Sequence, residues 1–444
     1  MKLVNIHKHF GLIACLAAAT PAVAQEKALL FSDFASVRMQ AEKSSSVFQV
    51  ANHQRQMAQW NQQNAELDIL KFRLPITAAA QNNTRLPVNF IPSEIFGGEP
   101  GTFREVNFGL QYVSNFTIAP QIDLLNLTAW EKARAAKIQA TLVDVKSEID
   151  KKTLFEALAA TYYSVISYQK QTQILEKSKT VADSLFQTVS KKYAEGIIRS
   201  QDVTDARINQ LSIQDQIEQV KFGYASQIAQ LRILLDVPAS TPIFLEDVAL
   251  EADFLTTDFT PNARYVVRQA EANYQLALSD LASLKKSYYP TVSLAFSHTG
   301  QSNSNQRFWD SNSIGFSTNF VGLRFNWQVP DWTKHISKKV AMLQTELAKT
   351  AWEHTNLQNE MQNKQTSIEK QKARAHWEKT RQIRELKESN FQKSKNQFDE
   401  NILATDRLLV SFNDLVNSQL AEEVAKVTLY FKQTLIDINT TNNE

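Results

Sequence analysis

The sequence predicts a mainly α-helical protein with a small β part, built from long antiparallel coiled-coil helices, and three observations carry that prediction. Glycine is scarce, 10 in 444 residues, about 2% where about 7% is usual. Prolines after the first 25 residues fall at 75–120 and 238–330, so 121–237 and 331–440 contain none. Proline lacks the amide N–H and clashes with the preceding turn, so long proline-free runs favour helix. Finally, KKYAEGIIRSQDVTDARINQL at 191–211 interrupts the first run, and NQFDENILATDRLLVSFNDL at 396–415 interrupts the second about 205 residues later.

The N-terminus reads MKLVNIHKHFGLIACLAAATPAVAQ. A basic start (Lys2, Lys8), an apolar core and the small-residue end Ala22-Val23-Ala24 make 1–24 a secretory signal, with cleavage expected after Ala24. Leu12-Ile13-Ala14-Cys15 also matches a lipoprotein box, which would leave a lipidated Cys15. Removing Lys2 and Lys8 leaves 46 basic against 46 acidic residues. A neutral chain without a basic cluster argues against a nucleic-acid partner. Cys15 is the only cysteine, so the mature chain has no disulfide and no cysteine metal site. No stretch of 18 apolar residues supplies a transmembrane helix.

Within the proline-free blocks, apolar residues recur at three- and four-residue steps. Leu154, Leu158, Tyr162, Val165, Val181, Leu185, Val189 and Tyr193 form one stripe; Leu343, Leu347, Trp352, Leu357 and Met361 form another. Such stripes pack on other helices. A helix from 121 to 195 would be about 110 Å long, and coiled-coil packing is the natural way to bury it.

Between the helices lie four alternating segments, 72–82, 106–119, 291–297 and 321–329, joined by polar connectors at 83–104 and 299–313. Val106, Phe108, Leu110, Tyr112, Phe116 and Ile118 alternate with small or polar residues. Val292, Leu294 and Phe296, and then Val321, Leu323, Phe325 and Trp327, repeat the pattern. One greasy and one polar face, with long loops, fit an outer-membrane barrel whose apolar residues face lipid. Four strands cannot close a barrel, and lipid tolerates no open sheet edge. Several chains would have to share one.

The chain reads as a duplication. The first repeat, 25–240, holds a helix, a strand pair at 72–119 and a helix hairpin at 121–237 with its tip near 196. A linker at 241–260 follows. The second repeat, 261–440, holds a helix, a strand pair at 290–329 and a hairpin at 331–438 with its tip near 401. Gly196 and Asn401 tolerate the left-handed conformation that ends a helix, and Ser200 and Thr405 are placed to cap the next one.

No catalytic motif emerges. His53, His298, His335, His354 and His376 form no ligand pair, and the carboxylate pairs lie on solvent-rich helical sequence. The reading is no enzyme, no metal and no cofactor.

Several residues together resemble the TolC-type outer-membrane efflux family over about 30–438. They are Tyr193-x-x-Gly196-Ile197-x5-Val203-x2-Ala206-Arg207, Leu234-Leu235-Asp236-Val237-Pro238, Tyr289-Pro290, and Val321-Gly322-Leu323-x-Phe325 leading to Pro330. The resemblance implies a homotrimer with a shared 12-stranded barrel in the outer membrane and a periplasmic α-barrel. It implies a passive duct docking on a periplasmic adaptor and an inner-membrane pump or ABC transporter, for efflux or type I secretion. The docking residues would be Gly196, Ile197, Ile198, Asn401, Ile402 and Leu403. Tyr193, Asp202, Asp205, Phe398, Asp406 and Arg407 would line the entrance. Asn401 stands where the family usually has glycine, and Arg407 where it often has aspartate. The competing reading is a periplasmic coiled-coil scaffold that transports nothing.

Overall fold

The computed structural model describes residues 28–246, 264–329 and 332–440. The expected leader, Cys15 and most of the 241–260 linker lie outside the described residues.

The chain opens with β1 (Leu29–Phe31), α1 (Phe34–Ser44) and α2 (Ser46–Leu67). Next come β2 (Phe72–Arg73), β3 (Ile76–Asn82), β4 (Val88–Pro92), β5 (Phe103–Asn107), β6 (Tyr112–Ile118) and β7 (Gln121–Leu125). The first long hairpin is α3 (Leu127–Ala194) and α4 (Ser200–Leu235). Then follow β8 (Ile243–Leu245), α5 (Tyr265–Lys286), β9 (Thr291–Ser304) and β10 (Ile314–Asn326). The second hairpin is α6 (Trp332–Asp399) and α7 (Thr405–Thr440).

The duplication is visible in the helices. α3 and α6 have 68 residues each, and α4 and α7 have 36 each. The starts, 127 against 332 and 200 against 405, are offset by the same 205 residues that separate the two interruptions.

The helices form one layer. Around α3's first half, α2 lies on one side, with Arg55 on Asp144 and Glu148. On the other side lies α5, with Lys286 on Glu131. Then comes α6, where Trp352 stacks on Tyr274 with ring centroids 5.8 Å apart. Around α3's second half, α4 is tied by Lys221–Glu176 and α7 by the buried Tyr163–Thr434 hydrogen bond of 2.7 Å. α7 is joined to α6 through Arg384–Glu422, Lys387–Asp414 and Lys432–Glu369. One edge of the layer is therefore α6, and the other is α2 above α4.

Two apolar clusters hold the layer. One packs Leu158, Tyr162, Val165 and Ile166 against Val37, Leu231, Leu235, Tyr430 and Ile438. There β1 and β8 pair in parallel and cover one end. The other packs Leu175, Leu185 and Val189 against Ile213, Leu408 and Phe412 near the tips.

The sheet differs from the sequence reading in extent. Segment 72–82 is broken at Leu74-Pro75 into β2 and β3. Residues 121–125, expected to begin a helix, form β7, which pairs with β2 and β9; the helix starts only after the Asn126 cap. Buried Asp123 explains the strand, since its carboxylate holds Arg73 at 2.5 Å and the Ser293 hydroxyl at 2.9 Å across neighbouring strands. β9 and β10 are 14 and 13 residues long, and β9 runs on through residues 299–304 of the expected 299–313 connector. Polar side chains do not stop a strand when the ladder pairs the backbone. Counting β2/β3 and β6/β7 each as one broken strand, the sheet is a four-stranded antiparallel meander. Its two edges, β3 and β10, have no further partner among the described residues.

Segment 106–119 is not one strand. Val106 belongs to β5, opposite Asn89 in a separate β4–β5 hairpin. Phe108 and Leu110 lie in the bend before β6, where Gly109 takes φ +119.

Candidate functional site

The two hairpin tips are built alike. At the end of α3 the Gly196 N–H donates to Tyr193 O and the Ile197 N–H to Lys192 O, both at 2.9 Å. At the end of α6 the Asn401 N–H donates to Phe398 O at 3.1 Å and the Ile402 N–H to Gln397 O at 2.8 Å. A bond reaching back five residues over a left-handed residue is the Schellman termination. Gly196 has φ +74 and Asn401 φ +60, as the sequence reading required.

The expected Ser200 and Thr405 caps are not formed. Both are already helical. At α4 the Asp202 carboxylate takes the Arg199 N–H at 2.9 Å. At α7 the Thr405 side chain is 2% exposed, with no partner for its hydroxyl in the structure.

Both tips open onto one groove of about 590 Å³. Of the residues singled out in the sequence, Ile197, Ile198, Asp202, Asp205, Phe398, Asn401, Ile402, Leu403 and Asp406 line it. Gly196, Tyr193 and Arg407 lie outside it, with Tyr193 and Arg407 exposed. Ile197 and Ile402 are both exposed. Phe398 and Tyr193 hold equivalent places in the repeat but differ. Phe398 is buried in the tip cluster, whereas Tyr193 is 48% exposed.

Sequence reasoning missed Lys192. Its ammonium bonds Phe398 O and Asn401 Oδ1, both at 2.6 Å. It neutralises orphan carbonyls at the α6 C-terminus. A lysine in the last turn of α3 signals a cap for its own helix, and nothing local says that it serves the other hairpin.

The sheet is the second part of the site. Ladder register places Phe116, Ile118, Val292, Leu294, Phe296, Val321, Leu323 and Phe325 on one face, with Tyr112 at its far end. Trp327 lies one residue past β10 and donates to Tyr288 O. Val106, Phe108 and Leu110 are not part of this sheet. The opposite face carries Thr117, Asp123, Ser293, Thr299, Gln301 and Arg324 among mostly polar neighbours, with Phe320 midway along it and Phe316 nearer the far end.

No helix among the described residues is long and apolar enough to cross a membrane, which says nothing of a β-barrel. Among the described residues no cluster of His, Cys, Asp and Glu could hold a metal ion.

The family model described as outer membrane efflux protein matches residues 107–236. No curated protein matches the chain by sequence. Solved structures match its fold along nearly its whole length. The outer membrane protein VceC from Vibrio cholerae superposes with a TM-score of 0.74 at 16% identity, over 91% of this chain and 95% of that one. The outer-membrane channel OprN gives 0.73 at 15% identity over 91% and 89%. The Campylobacter jejuni CmeC outer membrane channel gives 0.71 at 12% identity over 99% and 93%. The chain carries an outer membrane efflux protein match across its first long hairpin and, over nine-tenths of its length, the fold of the TolC-type outer-membrane channels.

Proposed function

We propose that the protein is a trimeric outer-membrane exit duct of a tripartite efflux pump or type I secretion system. It would be a passive conduit whose tips dock on a periplasmic adaptor and an inner-membrane transporter, and it performs no catalysis. One observation carries this: the folded chain is unfinished at both edges of both layers.

On α6, Ile336, Val340, Leu343, Leu347, Leu357, Met361 and Ile368 follow a heptad spacing and are all exposed. On the opposite edge, Val50, Met57, Trp60 and Leu67 of α2 follow the same spacing and are exposed too, as are Ile208, Leu211, Phe222 and Ile233 of α4. Stripes of this period bury themselves against another helix. Two different edges that pack on each other give head-to-tail association, which makes a ring when the rotation between copies closes. The sheet has the same property, with β3 and β10 unpaired on their outer sides among the described residues. Four strands from each of three copies make twelve, above the minimum of about eight. The face bearing Leu294, Phe296, Leu323 and Phe325 then meets lipid, and the polar face lines the lumen. The outer-membrane channels of the same fold support this placement.

The test is fractionation and mass. The protein should extract from outer membrane only with detergent and run at three times the chain mass. Leu347→Glu with Trp60→Glu should yield helical monomer. A wild-type protein that washes off without detergent as monomer would establish the scaffold reading instead.

A further inference from the structure

We infer that Arg324 makes the periplasmic end of the barrel lumen selective for anionic solutes; this rests on the duct reading above. Besides Tyr112, the six-stranded sheet contains four ionisable side chains, Arg73, Asp123, His298 and Arg324. His298 stands in register with Ile118 on the apolar-band face, bonded to Asn319 at 2.7 Å. The other three share the polar face. Arg324 opposes Ser293, and Ser293 opposes Asp123, so these three form one cross-strand row. Arg73 reaches into that row from β2.

The row holds two arginines and one carboxylate, and the carboxylate is committed. Asp123 is 4% exposed and accepts from both Arg73 and Ser293. Arg324 is exposed and has the neutral Gln121 amide oxygen at 3.4 Å. It sits two strands from Asp123, about 9–10 Å across the sheet. Among the described residues, each chain therefore contributes one positive charge to this row without a carboxylate partner, and three chains contribute a ring. Exchanging which arginine Asp123 binds leaves the sum unchanged. Rings of charged side chains set the sign of permeant ions, and a confined low-dielectric wall focuses their field.

The experiment places a thiol beside the row and asks which reagent reaches it. Thr291 lies on the same face as Ser293, two residues along β9. Thr291→Cys is made in the full chain, and the detergent-solubilised protein is treated with anionic and cationic methanethiosulfonates in about 10 mM salt, where screening is weak. Wild type, whose single cysteine is Cys15, is the blank. The anionic-to-cationic rate ratio, corrected for intrinsic reactivity, should fall about threefold to tenfold with Arg324→Gln. It should invert with Arg324→Glu and persist with Arg324→Lys. If the Thr291→Cys thiol reacts but its ratio ignores all three changes, the inference is overturned and the duct remains. If neither reagent reaches that thiol in a folded oligomer, while Leu294→Cys reacts once detergent is exchanged for a non-covering polymer, the assignment of faces is reversed and both are removed.

Discussion

Lys192 and Phe398 join the two hairpins at their tips. The Lys192 ammonium lies 2.6 Å from the Phe398 carbonyl oxygen and 4.3 Å from the centre of the Phe398 ring. One side chain thus caps the helix of the other repeat and covers its buried aromatic. Lys192→Met keeps the apolar stem and removes the donors. It should speed amide exchange at 398–405 while leaving 196–200 unchanged, with a stability loss of about 1 kcal/mol for a partly solvated charged hydrogen bond. Equal acceleration at both tips would contradict the one-way cap.

The equivalent left-handed residues should respond differently. Around Gly196 no atom lies within 4 Å of an added Cβ, so Gly196→Ala costs backbone strain alone, about 1 kcal/mol. Asn401→Gly relieves the backbone but removes the Oδ1 acceptor of Lys192. The double variant Asn401→Gly/Lys192→Met should therefore be less destabilised than the two single changes added together. Denaturant melts of the four proteins complete that cycle.

Asp236 closes α4 with φ 51 and accepts the Ser46 N–H and hydroxyl, each at 2.7 Å. It caps the start of α2 from another helix. The Ser46 backbone and hydroxyl donors hold its pKa below the usual carboxylate value. A lowered folded pKa stabilises above the unfolded pKa, and that contribution disappears as pH falls through the folded value. Wild type should therefore lose stability relative to Asp236→Asn as pH drops from about 5 to 2. A constant difference across that range would exclude the linkage.

Removing Asp123 strands Arg73 and the Ser293 hydroxyl. Asp123→Ala should lower the stability of the detergent-solubilised protein, read from its unfolding midpoint, by about 1–3 kcal/mol per chain. Arg73→Met added to it should recover part of the loss. Failure to recover would place the cost in Ser293 or in the strand itself.

Local pattern sufficed where one residue decides its own backbone. Gly196 and Asn401 mark the reversals because left-handed torsions are cheap for those two types. Leu158, Val165 and Val189 read as core because helical period alone places them on one stripe. Pattern was silent where a partner decides. QIDLL at 121–125 carries no strand signal stronger than its helical one, and Arg73 and Ser293 tip it by pairing Asp123. Phe108 and Leu110 keep the alternation of β6, yet Gly109 and the separate β4–β5 hairpin take them off the sheet. Leu343 and Leu347 belong to a genuine stripe, but nothing local says that it stays uncovered within one chain.

The sequence by itself determined the helix-rich composition, the duplication at a 205-residue offset, the two reversals and the alternation of the strands. These depend on torsional preference and on the period of apolar residues, both properties of short segments. Only the tertiary structure decided which stripes are spent inside the chain and which remain at its edges, that Lys192 serves the neighbouring hairpin, and that Asp123 neutralises one arginine of two. Those outcomes depend on distances between residues far apart in the chain, as Lys192 is from Phe398, which no local preference encodes.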